Sequence, residues 1–217
     1  MRIEDRNNIR VSEPSAAPQA GAATTMVFMH GFGCDQTMWR YLEPLFRPRY
    51  RTVLFDLVGS GASDLAAYDF DRYARLDAHG DDLRTIIHAV GGGPVICVGH
   101  SVSAMSALLA SIAEPELFAA QVMLAPSPCY VDDAAAGYRG GFSRADIDDL
   151  LAAMDSNYLG WSARWRRPSW AHPASRRWAR TWQAAFAART PPSPGISRKP
   201  RFCPTTAPSC RTTRRRP

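Results

Sequence analysis

The sequence predicts an α/β layered fold, a mostly parallel sheet with helices on both faces. Three observations carry that expectation. Short apolar runs recur along the first 125 residues, helix-like stretches fill the gaps between them, and turns rich in glycine and serine follow the runs. Strands alternating with helices build this architecture, because each crossover helix covers a face of a parallel sheet.

The runs are "TMVFMH" (25–30), "RTVLFD" (51–56), "PVICVG" (94–99) and "AQVMLA" (120–125), each bounded by Gly, Pro, Asp or Ser. Continuous apolar runs of this length read as strands buried on both faces. "TMWRYLEPLF" (37–46) reads as helical, and "DRYARLDAHGDDLRTIIHAV" (71–90) is long enough for one or two helices. "VSAMSALLASIAEP" (102–115) reads as a helix with a proline stop. The "NNIRVSE" near the N-terminus suits an outer strand. In "GFSRADIDDLLAAMDSNYLGW" (141–161), Ser143 is placed to cap an amphipathic helix, with Asp146 three residues on as a weaker partner than Glu or Gln.

Charge divides the chain. Residues 1–163 carry 12 basic and 20 acidic side chains, whereas residues 164–217 carry 14 basic and none acidic, so the overall +6 averages two unlike segments. The second segment also holds 9 of the 17 prolines and 4 of the 6 tryptophans, with Ile196 its one branched aliphatic residue. No run approaches eighteen apolar residues, and the N-terminus lacks an apolar leader core, so neither a membrane span nor a secretory signal is expected. The five cysteines (Cys34, Cys97, Cys129, Cys203, Cys210) lack CxxC spacing. They read as reduced thiols of a cytoplasmic protein, not a disulfide framework or a zinc site.

Chemistry concentrates at "ICVGHSVSAM" (96–105). A strand running through Gly-His-Ser-Val-Ser into small, helix-tolerant residues is how a nucleophilic serine is mounted on a tight elbow, here Ser101. The last motif position is Ser103 where glycine is usual, small enough to be tolerated. A second motif, "HGFGCD" (30–35), follows the first buried run. Acyl transfer needs backbone N–H donors where the oxyanion develops. The residue after the nucleophile, Val102, and the loop residue Phe32 are the candidate donors. A third motif, "FDLVGSGASD" (55–64), supplies a tight strand exit, with Asp56 read as structural.

These stretches, with "APSPCYVDD" (125–133), resemble the α/β-hydrolase superfamily, in the branch that contains the bacterial stress regulator RsbQ and the plant strigolactone and karrikin receptors. The resemblance runs from about residue 5 to Trp161. It implies a Ser–His–Asp hydrolase of small apolar ester-like ligands, with a helical lid that begins in "GGFSRADIDDLL" and "NYLGW". It implies no metal or organic cofactor. Because the branch includes signalling proteins, it also implies a possible sensor role with a regulatory protein partner. In this family the acid follows the strand after the lid, and the histidine follows the last strand.

No such strands are legible after Trp161. Of the five histidines, His30 and His100 sit inside the motifs, His79 and His88 precede the nucleophile strand, and His172 lies in the basic segment. No catalytic His or Asp is therefore assigned, although Asp132 or Asp133 could stand in for the acid. The Arg/Pro/Ser/Thr/Trp composition of residues 162–217 suits GC-rich coding DNA read out of frame. Codons consistent with "RTPPSPGISRKPRFCPTTAPSC", displaced by two bases, permit "DPAIARHFAKATFLSDNRAEL", where acids and aliphatics return at helical spacing. The expected organisation is thus residues 1–161 as the N-terminal part of a hydrolase domain, and residues 162–217 as an out-of-frame, poorly ordered tail. A basic tail can also suit polyanions, but nucleic acid is not the expected partner.

Overall fold

Strand β2 (Thr25–Met29) shows why the apolar runs are continuous. Val27 and Met29 pack on one face of the sheet and Met26 and Phe28 on the other, and all four are buried. Alternate side chains of a strand point to opposite faces, so a strand covered on both sides must be apolar at every position. The structure, a computed structural model, describes residues 1–15 and 24–156. The tail from 162 onward, and with it the expected loss of order there, lies outside the described residues, as does His172.

A short helix α1 (Ile3–Arg6) leads into strand β1 (Arg10–Ser12). Strands β2, β3 (Arg51–Phe55), β4 (Val95–His100) and β5 (Phe118–Leu124) follow at the four predicted runs. The sheet order is β1-β3-β2-β4-β5, with β1 antiparallel to β3 and every other pair parallel. The outer strand expected from "NNIRVSE" is β1.

Helices α3 (Asp77–Ala89) and α4 (Val102–Ala113) cover one face through Leu83, Ile86, Ile87, Ala107 and Ala110. Trp39 and Phe46 cover the other, with Phe28 in aromatic contact with both. The stretch 37–46 is not one helix. It forms a 3₁₀ turn over Gln36–Trp39 and a single turn α2 (Glu43–Phe46) with Pro44 in its first turn. Proline has no N–H to give the preceding turn and its ring crowds the carbonyl four residues back, so the helix restarts there. Helix α5 (Arg144–Ser156) begins as expected: the Ser143 N–H donates to Asp146 Oδ2 (2.8 Å), and the Asp146 N–H donates to Ser143 Oγ (3.1 Å). No helix among the described residues is long and apolar enough to cross a membrane.

Candidate active site

In an open α/β sheet, loops diverge where the strand order reverses, leaving a crevice at the carboxyl ends of the strands. Here the reversal falls between β2 and β4. The chain steps from β2 outward to β3, then returns to the far side of β2 for β4. The β2–β4 pairing ends at Met29↔Gly99, so both motif loops leave the sheet side by side.

Ser101 sits on the turn from β4 into α4 with φ 57° and ψ −122°. A non-glycine residue with positive φ is strained and persists only where surroundings fix it. They do so here. The Ser101 N–H donates to the Leu124 carbonyl of β5 (2.8 Å), and the Ser101 carbonyl accepts from Ala104 N–H (3.0 Å). Gly99 is required by the same turn, since a Cβ there would stand 2.8 Å from the backbone of Ala104. Val102 opens α4, so its N–H is among the helix's unbonded first-turn donors.

Phe32 lies in the turn after β2, 38% exposed, where the Cys34 N–H closes onto the Gly31 carbonyl (3.2 Å). Gly31 approaches the elbow so closely that a Cβ would run into the His100 ring. Two further bonds fix this loop. The Leu57 N–H donates to His30 Nε2 (3.0 Å), so the proton of the neutral ring is on Nδ1, which donates to the Gly31 carbonyl (2.9 Å). Asp56, fully buried, accepts from Gln36 N–H (2.8 Å), Ala62 N–H (2.9 Å) and Asn8 Nδ2 (2.8 Å). Asp56 is therefore the structural clamp that the sequence suggested.

The histidines divide by environment. Both ring nitrogens of His30 hold backbone, which removes it as a base. His79 packs against Tyr73 (ring centroids 4.9 Å apart), and burial pushes its pKa down to about 4. His88 is on the surface, bonded to Glu114 (2.7 Å). Burial also lowers the pKa of His100. Asp132 and Asp133 are spent on their own loop: Asp132 Oδ1 accepts from Gly140 and Gly141 N–H (2.8 Å each) and Asp133 Oδ1 from Ala136 N–H (3.1 Å). The structure thus sets the turn after β2, which carries Phe32, against the elbow of Ser101 and Val102, and holds His30, His79 and His88 in other contacts.

Sequence reasoning missed one residue. Ser103 is fully buried and its hydroxyl donates to the His30 carbonyl (2.5 Å). The only sequence signal was a serine where the elbow motif has glycine. Cys34 and Cys97 are buried, and Cys129 is half-buried with its Sγ accepting from Val131 N–H (3.4 Å); burial raises the Cys97 pKa to about 12.

This sheet, its elbow and its glycine-rich neighbour loop define a hydrolase-type α/β protein. The Alpha/beta hydrolase family model matches residues 26–210, and the chain belongs to that family. The match spans the composition change near Trp161 as well. Among curated proteins, the chain is 41% identical over 159 residues to the pea (Pisum sativum) protein named strigolactone esterase RMS3, covering 73% of this chain and 57% of the relative. It is 38% identical over 159 residues to karrikin insensitive 2 receptor CA of Petunia hybrida, covering 73% and 56%. The chain spans little more than half the length of these relatives. Among solved structures, a hydrolase from Oleispira antarctica superposes with a TM-score of 0.75 at 32% identity, covering 87% of this chain and 66% of that one.

Proposed function

We propose that this chain is the N-terminal part of a serine hydrolase acting on a carboxylic ester or a similar small apolar acyl compound. Ser101 attacks the acyl carbonyl, a histidine takes its proton, and the N–H groups of Phe32 and Val102 hold the oxyanion until the alcohol leaves. The observation that carries the reading is the strained Ser101 backbone at the sheet's reversal point, beside a loop held in register with it. An ordinary serine at a helix start has no use for positive φ. No metal or organic cofactor enters this chemistry, and the ligand is small and apolar. The setting proposed with this chemistry is cytoplasmic.

In this reading the 217-residue chain is itself nearly inactive, because its histidine and aspartate partners are lost to a frame change near Trp161–Ala163. Residues 1–161 then form the hydrolase part and 162–217 the out-of-frame tail. Support comes from the composition break and from the engagement of His30, His79 and His88 elsewhere. In intact hydrolases, loss of a triad member leaves about 10³–10⁴-fold acceleration over water, and this chain is expected to do no better. The test compares three proteins on an activated acyl ester: the chain, its Ser101→Ala variant, and a protein with the displaced frame restored. The first two should be indistinguishable and the third should turn over. Ser101-dependent turnover by the 217-residue chain at the restored protein's rate would refute its inactivity. A gene sequence with no in-frame continuation carrying an Asp and a His would refute the frame change.

A second reading, a ligand sensor working through a protein partner, is favoured by the likeness to a protein named as a receptor. A frame-restored protein that binds an ester analogue tightly, hydrolyses it slowly and retains a partner only when loaded would favour it over the enzyme.

A further inference from the structure

Ser103 stands at the second position of α4, and its hydroxyl reaches across to the carbonyl of His30, 73 residues away. A serine inside a helix usually turns outward to solvent or bonds the carbonyl one turn back. Here the side chain is fully buried and leaves its own helix to reach the end of the neighbouring strand. The position of the acceptor gives the contact its meaning. The β2–β4 ladder stops at Met29↔Gly99, and His30 is the next residue along β2. The Ser103 hydroxyl bonds where the next rung would be. Phe32 lies two residues beyond His30, and Val102 lies one residue before Ser103. A single hydrogen bond therefore ties together the two chain segments that carry the two candidate oxyanion donors.

We propose that Ser103 is a positioning residue, whose hydroxyl sets the span between the Phe32 and Val102 N–H groups by holding the His30 carbonyl against the first turn of α4. The proposal rests on the hydrolase reading for its chemical consequence, though not for its structural content. The far side of the loop is already fixed by Leu57 N–H on His30 Nε2 and Gln36 N–H on Asp56. Ser103 supplies the near side. A glycine at this position, the ordinary residue of the motif, leaves that side without its bond. Preorganised donors act only at the right distance, and a displacement of about 1 Å can cost about 100-fold in rate.

The test uses the full chain and its Ser103→Ala, Ser103→Gly, Ser103→Thr and Ser101→Ala variants, with two readouts. The first is amide hydrogen exchange across 31–34, compared with β4 and with the interior of α4. Loss of the hydroxyl should speed exchange in the loop about tenfold while β4 is unchanged; Thr, which keeps a hydroxyl, should leave the loop protected. Unchanged loop exchange in both Ala and Gly variants overturns the proposal, and so does an equal rise everywhere, which is loss of stability and not of position. The second readout is covalent capture by a fluorophosphonate, with imidazole in solution as the base. The Ser101 Oγ–P bond forms, the P–F bond breaks, fluoride leaves and imidazole takes the hydroxyl proton. Intact mass gives the rate. Capture at Ser101 should fall about tenfold in Ser103→Ala and stay within about threefold in Ser103→Thr. A faster-exchanging loop with unchanged capture overturns the role in positioning. Capture no faster in the parent chain than in Ser101→Ala is instead the failure of the hydrolase reading, and the exchange readout then decides alone whether Ser103 holds the loop.

Discussion

Strand β4 has two parallel neighbours, and they are treated differently. On one side, β2 is buried from Met26 to Met29, with helices over one face and aromatic side chains over the other. On the other side, β5 leaves Val122 42% and Leu124 36% exposed. Equal pairing with β4 thus gives unequal burial. What protects a strand is what lies over its faces and beyond its outer edge, and among the described residues β5 has no strand beyond it. The opposite edge makes the contrast sharper. Strand β1 is three residues long and carries Arg10, the short and charged design that discourages edge-to-edge association. Strand β5 is seven residues long, "FAAQVML", with neither charge nor proline. Among the described residues it has the sequence of an interior strand in the place of an edge.

The largest expected effect breaks this comparison directly. Phe28 is fully buried in β2 and touches Trp39 and Phe46, so Phe28→Ala should cost about 3–5 kcal/mol, the loss of a buried aromatic plus the cavity left behind. Val122→Ala removes a side chain already 42% exposed in β5 and should cost less than about 1 kcal/mol. Urea unfolding of the two variants reads the difference. Equal costs would mean that β5 is covered in solution, by another part of the chain or by a second molecule.

An effect of intermediate size tests how dry the protected half is. His79 lies on α3, and burial lowers its pKa from 6.5 to about 4. The sign follows from proton counting. Between about pH 6.5 and 4 the unfolded chain binds a proton at His79 that the folded chain refuses, so stability falls as pH drops through that window. From pH 7 to pH 5 the loss should be about 2 kcal/mol. Most of it should vanish in His79→Gln, measured as the free energy of unfolding against pH.

How much of this was legible in the sequence follows the same division. The strands buried on both faces were legible because double burial forces an unbroken apolar run, and β2, β3 and β4 each carry one. The elbow and the glycine-rich loop were legible because their backbone demands small residues. The helix expected over 37–46 failed at Pro44, where local periodicity outweighed the missing N–H in the reading. The struts of the site were not legible. His30 on Leu57, Ser103 on His30 and Asp56 on Gln36 join residues 20 to 73 positions apart, and single-sequence periodicity carries no information about such pairs. Ser103 looked like a tolerated departure from glycine because the acceptor of its hydroxyl exists only once β2 lies beside β4.

The smallest effect belongs to the most exposed element. Helix α5 is anchored by Ile147, 8% exposed, and its start is held by the reciprocal bonds between Ser143 and Asp146. Removing a cap of this kind typically costs about 1 kcal/mol of helix stability. Because α5 adds little to the buried core, Ser143→Ala should barely move the global unfolding transition. It should act locally, raising amide exchange in the first turn of α5 about fivefold while β2 and β4 stay protected. Acid should have the same local effect. Hydrogen bonds from Ser143 hold the Asp146 carboxyl below its usual pKa, so the capping stabilisation is present above the ordinary carboxylate range and is lost as pH falls through the lowered value. In the parent chain the first turn of α5 should therefore open on acidification, and in Ser143→Ala, which loses both hydroxyl bonds but keeps the backbone N–H bond to Asp146, that pH dependence should be weaker. A cap variant that instead lowered the global transition as much as a core variant would mean that α5 packs against the body of the protein more firmly than its exposure indicates.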